Sequence, residues 1–490
     1  LFLILLPFFK NFTTKELILE PLTFVINKIM LSYSLITPEI INHISRAVGS
    51  ECLIRDPEKL SEYGKDAGES VHMPDLAVEA TSPDHVQALL RLANEYHFPV
   101  TPRGLGTGVA GGAVPLFGGV VLSLAGMNRI LSIERENLIA VVEPGVINLD
   151  LKNAVIGAGL FYPPDPASLD TCSIGGNAAT NAGGPACVKY GTTRDYVLGL
   201  EAILPSGKKI EAGVKTRKGV VAYDLLHLLI GSEGTLGVIT KLVLRLLPRP
   251  KALTTLVAFF PNLSVAMDAV TTILVRGHIP IAIEFLDQSC LELVGDLFPF
   301  EDAKGAGGLL LIETDGMPEV IEREIESIGE ICVGCGAFSV LMAPDSRKRA
   351  RMWEIRREVS LRIENNSPLY IPEDVVVPIG RIADFVAALP EFEKDYGMKI
   401  YSFGHAGDGN IHLNVTAENP RSREKIERGI QAILELVISM GGTISGEHGI
   451  GIAKRRYLPL ELSPESIRLQ REIKHIFDPR LIMNPGKIFE

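Results

Sequence analysis

Three of the ten histidines in this chain fall between residues 405 and 448, in two unusual segments. The first is Gly404-His405-Ala406-Gly407-Asp408-Gly409-Asn410-Ile411-His412-Leu413-Asn414, the second Ser445-Gly446-Glu447-His448-Gly449-Ile450-Gly451. Two imidazoles and a carboxylate form a common metal set that leaves coordination positions open for a substrate. The glycines suit tight loops that bring such side chains together. Taken singly, each histidine is better explained as a hydrogen-bonded loop residue; taken together, their clustering with a carboxylate favours a divalent metal. A second candidate is the run Trp353-Glu354-Ile355-Arg356-Arg357-Glu358. A guanidinium there could grip a substrate carboxylate in a bidentate fork. From the residues alone, pairing with neighbouring acids on a solvated helix face is the simpler account.

Glycine segments precede these loops. Arg103-Gly104-Leu105-Gly106-Thr107-Gly108-Val109-Ala110-Gly111-Gly112 contains G-x-G-x-x-G. A Rossmann site needs a helix directly after the loop, and Pro115, Gly118 and Gly119 argue against one. Consecutive glycines can still turn several N–H groups toward one anion, such as a diphosphate. The run Ser173-Ile174-Gly175-Gly176-Asn177-Ala178-Ala179-Thr180-Asn181-Ala182-Gly183-Gly184 is nearly free of large side chains. It is expected to be a loop that forms no core and admits a ligand close to the backbone. With Gly231-Ser232-Glu233-Gly234-Thr235-Leu236-Gly237 as a third segment, one extended ligand with a diphosphate and a ring is expected.

The elements that position these groups follow from periodicity. Ser82-Pro83-Asp84 reads as a helix start, with Val86, Leu89, Leu90 and Ala93 at helical spacing. Short strands are expected over 119–124, 139–143, 200–204 and 236–246. Beyond Pro248-Arg249-Pro250, strands over 255–260, 282–286, 308–314 and 338–341 alternate with helices over 265–276 and 319–328. That pattern suggests an antiparallel sheet with helices on one face. A long charged helix is expected over 345–363, and a strand over 374–378. Cys332 and Cys335 form the single C-x-x-C. Flanking Gly334 and Gly336 make a helix-to-strand turn the simpler account than a redox pair. One such pair cannot hold an iron–sulfur cluster.

The net charge of −11 and absence of a basic stripe argue against nucleic-acid binding. The composition leads to the expectation of a globular, cytoplasmic enzyme, which a partner could attach to a membrane. The apolar stretch at residues 1–9 is shorter than the about 20 residues a bilayer requires. The chain starts with Leu, and Met30 is its first methionine. Residues 1–29 are therefore expected to be an extension ahead of a start at Met30, or a short peripheral membrane helix.

The glycine segments and histidine loops together resemble the FAD-linked oxidases of the vanillyl-alcohol-oxidase type. More narrowly, residues 73–489 resemble the glycolate oxidase catalytic subunit, D-lactate dehydrogenase and D-2-hydroxyglutarate dehydrogenase. The resemblance implies an α+β fold: a two-subdomain FAD-binding domain (30–250), an α+β cap domain with an antiparallel sheet and the metal loops (251–448), and a C-terminal segment returning to the first domain (449–490). It implies FAD held through Arg103, Gly104, Gly106, Thr107, Gly108, Pro164, Asp165, Ser173, Gly175, Gly176, Asn177, Thr180, Asn181, Gly234, Gly237, Val238, Ile239 and Asn484. The first loop has no histidine, so non-covalent FAD is expected. His405, His412 and Glu447 match metal ligands for Zn or Mn, His448 a general base, and Arg356 and Asn414 substrate contacts. The implied reaction is oxidation of a small D-2-hydroxy acid to the 2-oxo acid. The metal lowers the hydroxyl pKa, His448 takes the proton, and the C2 hydride passes to flavin N5. The hydroxyglutarate enzymes carry a lysine where Pro372-Glu373 stands here, which favours lactate or glycolate. Electrons would leave to an iron–sulfur subunit, an electron-transfer flavoprotein or a quinone, and an oligomer is compatible with all of this. The rival classes are a flavin-carrying electron-transfer subunit without substrate chemistry, a D-2-hydroxyglutarate-type dehydrogenase, and a metallohydrolase that would leave the glycine segments idle.

Overall fold

The computed structural model describes residues 33–294, 297, 305–343 and 345–489. The apolar start and Met30 lie outside the described residues. The helix after Ser82 spans Pro83–Tyr96, with the Ser82 side chain accepting from His85 N and Val86, Leu89, Leu90 and Ala93 buried. It packs against a four-stranded sheet ordered Leu53–Ile54, Leu76–Glu79, Val120–Ser123, Val100–Arg103. The last three strands are parallel. Val100 also exchanges backbone hydrogen bonds with Ile482 and Asn484, so the C-terminal segment lies along this sheet. No helix follows the first glycine loop, as expected.

A five-stranded antiparallel sheet comes next, ordered Ile130–Glu134, Ile139–Val142, Val238–Arg245, Val197–Ile203, Lys209–Gly213. The second glycine segment departs from expectation. Its first half is a helix, Ile174–Thr180, capped by the Ser173 side chain and ended by Asn181 at φ 54°. Ile174 and Ala178 are fully buried in the core of this sheet. The small residues are what permit it, since a Cβ on Gly175 would collide with Pro144.

The third sheet has seven strands, ordered Ser339–Met342, Ala252–Phe260, Gly308–Gly316, Ala282–Asp287, Lys399–His405, Asn410–Ala417, Leu369–Val376. Every pairing is antiparallel. Contrary to expectation, helices cover both faces. Leu263–Val275, Pro318–Cys335, Ile382–Tyr396 and Arg423–Ser439 pack on one. The charged helix Ser346–Asn365 packs on the other through Met352, Ile355, Val359 and Ile363. The reason is that central strands are apolar on both faces, as in Leu309, Leu310, Leu311 and Ile312, which alternate between the two cores. The strand expected over 374–378 begins earlier, at Leu369. Pro372 and Glu373 therefore lie inside an edge strand, where the missing proline N–H is tolerated. Cys332 and Cys335 occupy the last turn of a helix capped by Gly336 at φ 111°, as expected. Among the described residues no helix is long and apolar enough to cross a membrane.

Candidate functional site

A single cleft of about 940 Å³ runs from the glycine segments to the histidine loops. Every residue expected to hold the cofactor lines it except Pro164, Asn181 and Asn484. The Pro164 carbonyl accepts from buried Asn148 Nδ2 behind the wall. Asn181 turns its Oδ1 to Thr192 and Arg194. Asn484 donates from Nδ2 to the carbonyls of Gly112 and Glu233, at 2.9 and 2.8 Å, and so ties two glycine segments together from beneath. At this end the walls are backbone. A Cβ on Gly104, Gly175 or Gly234 would fall within 2.5 Å of Ser173 Oγ, Pro144 Cβ and Pro102 Cγ respectively, whereas one on Gly108 would meet nothing within 4 Å. Asn177 lines the cleft buried, with only the weakly accepting Cys172 sulfur beside its amide, so a bound ligand could supply a better acceptor. An extended dinucleotide with a planar ring fits this end.

The histidine end stands on the face of the seven-stranded sheet that the helix Ser346–Asn365 covers. Register places Glu284 directly opposite His405, and Asp374 directly opposite His412. Phe403 opposes His412 on its other side. Alternation then puts Glu284, Phe403, His405, His412 and Asn414 on one face, because Ile283, Phe285, Ile411 and Leu413 go into the opposite core. His405 Nδ1 lies 2.5 Å from Glu284 Oε1, and its Nε2 lies 3.3 Å from Glu447 Oε1. One ligand atom each from His405, His412 and Glu447 falls within 4.8 Å of the others. With ligand bonds of about 2.0–2.2 Å, that spacing fits one shared divalent ion with a coordination position open.

Glu447 and His412 are electrostatically in the form a metal ligand needs. Burial pushes the Glu447 carboxyl up, but His405 and His412 outweigh it and hold it at about 2. Burial and the neighbouring His405 push His412 down to about 3, so it offers a neutral nitrogen. His405 is pushed down by burial but raised well above the usual imidazole range by Glu284 and Glu447. A metal ion at this position would take the place of the His405 proton that faces Glu447.

His448 follows Glu447 on a loop organised by one buried acid. Asp374 Oδ2 accepts from the N–H groups of Gly446, Glu447 and His448 at 2.7, 2.6 and 3.3 Å. Its Oδ1 lies 3.3 Å from His448 Nδ1 and 2.7 Å from Lys454 Nζ. Burial pushes the Asp374 carboxyl up, yet His448, Lys454 and these N–H groups hold it well below the usual carboxylate range. Asp374 thus orients the His448 ring and leaves Nε2 as its other edge. Glu233, from the third glycine segment, holds the same loop, accepting from Ile450 and Gly451 N–H at 2.8 and 2.7 Å.

Arg356 does not pair with acids on its own helix. Its Nε and Nη2 both lie 2.9 Å from Glu284 Oε2, and its Cζ sits 4.4 Å above the centre of the Phe403 ring. It lines the cleft, as does Asn414, whose Oδ1 accepts from Tyr370 OH at 2.6 Å while its buried Nδ2 has no partner. Glu284, Asp374, Glu233 and Tyr370 were absent from the sequence-derived site. A weak signal did exist for the first, since Ala282-Ile283-Glu284-Phe285-Leu286 places a carboxylate inside an apolar strand, where it must be paired.

Comparison with known proteins gives two family matches: "FAD binding domain" over residues 74–213 and "FAD linked oxidases, C-terminal domain" over residues 249–488. The glycolate oxidase subunit GlcD of Bacillus subtilis is 42% identical over 419 residues, covering 85% of this chain and 89% of that one. A D-lactate dehydrogenase of Anaerostipes hadrus is 37% identical over 474 residues, covering 93% and 98%. Among solved structures, p-cresol methylhydroxylase with substrate bound superimposes with a TM-score of 0.76 at 17% identity, over 92% of this chain and 96% of that one. At that identity it speaks for the fold alone.

Proposed function

This chain belongs to the FAD-linked oxidases, and from that premise we propose that it is an FAD-dependent dehydrogenase of a small D-2-hydroxy acid. The observation that carries the proposal is the cleft itself. One continuous space joins the glycine segments to His405, His412, Glu447, His448, Arg356 and Asn414. Relatives named glycolate oxidase subunit and D-lactate dehydrogenase support the substrate class.

In this proposal Arg356 and the Asn414 amide bind the substrate carboxylate. His405, His412 and Glu447 hold a divalent ion, Zn²⁺ or Mn²⁺. When bound, such an ion supplies Lewis acidity that lowers the pKa of a coordinated hydroxyl. His448 takes the 2-hydroxyl proton on Nε2 as general base, and Asp374 on the Nδ1 side stabilises the resulting imidazolium. FAD, held non-covalently by the glycine segments, supplies a two-electron acceptor for the C2 hydride. Glu373 lines the cleft where a cation would be needed for a second carboxylate, and its own charge is taken up by Lys454 at 3.1 Å. A monocarboxylate such as lactate or glycolate is therefore favoured over 2-hydroxyglutarate. Reoxidation falls to a partner: an iron–sulfur subunit, an electron-transfer flavoprotein or a quinone.

Anaerobic mixing of the yellow protein with D- and L-lactate, glycolate and D-2-hydroxyglutarate tests the proposal. D-Lactate or glycolate should bleach the flavin fastest. A flavin that no hydroxy acid reduces would instead mark an electron-transfer subunit.

A further inference from the structure

Glu284 touches both halves of the histidine end. It is 1% exposed, and a carboxylate so buried persists only when paired and hydrogen-bonded. Its two oxygens divide the work. Oε1 meets His405 Nδ1 at 2.5 Å. Oε2 receives both Nε and Nη2 of Arg356. The first contact holds the Nδ1 proton and turns Nε2, 3.3 Å from Glu447 Oε1, toward the position a metal would take; a carboxylate behind a histidine ligand commonly sets tautomer and orientation in this way. The second fixes the guanidinium plane over Phe403 and leaves Nη1 without a hydrogen-bond partner among the described residues. Strand register makes the arrangement rigid, because Glu284 and His405 are direct cross-strand partners in the middle of the sheet.

Building on the proposed function, we infer that Glu284 is a positioning residue that couples metal site and substrate anchor, one carboxylate orienting His405 for the ion and Arg356 for the substrate. The consequence is a shared dependence. Removing the Glu284 charge should weaken two binding events that have no ligand in common. Arg356→Lys should weaken only one of them.

The experiment uses FAD-loaded protein without turnover. Zn²⁺ affinity is measured by chelator competition, and pyruvate binding to the metal-free protein by perturbation of the flavin absorbance. Glu284→Gln should lower Zn²⁺ affinity by about 10–100-fold, the usual effect of losing such a partner, and weaken pyruvate binding as well. Arg356→Lys should weaken pyruvate binding and leave Zn²⁺ affinity unchanged. Should Glu284→Gln fail to fold, Glu284→Asp keeps the charge but is one methylene shorter, and should lose at least one of the two events. A folded, fully flavinated Glu284→Gln that binds Zn²⁺ and pyruvate like the wild type would overturn the inference, as would loss of pyruvate binding with Zn²⁺ affinity intact. Wild-type protein that takes up no Zn²⁺ overturns the metal site and the coupling with it, which separates that failure from one confined to Glu284.

Discussion

At the glycine end of the cleft the walls are backbone, and Gly104, Gly175 and Gly234 have no room for a Cβ. At the histidine end the working groups are polar side chains, and three of them are held by buried acids: His405 and Arg356 by Glu284, His448 by Asp374. The two ends therefore fail differently. A substitution at the first changes shape, and the flavin is what should be lost. A substitution at the second changes charge, and the metal, the base or the substrate should be lost while the flavin stays.

The largest expected effect lies at the base. His448→Ala should slow flavin reduction by ~10²–10⁴, the usual worth of a general base, with FAD and metal content unchanged. Rapid-mixing absorbance and metal analysis would show it. Should His448→Ala lose the metal while Glu447→Gln keeps it, the roles of these two neighbours are reversed. Next comes Asp374→Asn, which strands the buried Lys454 ammonium; breaking a buried pair typically costs about 3–5 kcal/mol. Because the folded Asp374 carboxyl titrates below its usual range, its stabilisation is fully present above about pH 4, the ordinary aspartate value. It is lost as pH falls further. The Tm gap between wild type and Asp374→Asn should thus be widest near pH 7 and narrow below pH ~4.

Arg356→Lys keeps the charge and loses the fork. It should raise KM for the hydroxy acid by roughly tenfold or more, since hydrogen bonds to charged groups are worth about 1.5–3 kcal/mol, and leave FAD content unchanged. The smallest effect tests the other end. Gly175→Ala presses a methyl into Pro144, and such overpacking costs about 1–3 kcal/mol. It should lower FAD content while Zn²⁺ binding persists. Equal loss of both would dissolve the contrast between the two ends.

Much of this layout is legible in the sequence because the working residues are local clusters. Gly404–Asn414 and Ser445–Gly451 announce an unusual site, and the three glycine segments announce a ligand. What is not legible is what lies behind them. Glu284 is 121 residues from His405, and strand register, which sequence spacing does not encode, makes them neighbours. Asp374, 74 residues from His448, reaches that loop through its side chain, which accepts from the Gly446, Glu447 and His448 N–H groups. The helix Ile174–Thr180 was missed because its glycines have poor helix propensity; it forms because only small residues fit against Pro144. The two-sided burial of the large sheet did leave a trace. Leu309-Leu310-Leu311-Ile312 is an unbroken apolar run, the mark of a strand covered on both faces.

In the proposed function a flavin and a metal are held by separate ends of one cleft and are needed together for oxidation of the hydroxy acid. Anaerobic mixing of the purified protein with D-lactate, with and without prior chelation, tests this most directly. Chelation should abolish bleaching of the flavin absorbance while FAD stays bound, and Zn²⁺ or Mn²⁺ should restore it. Flavin reduction that continues unchanged after chelation would contradict the account, leaving His405, His412 and Glu447 as direct hydrogen-bond partners of the substrate.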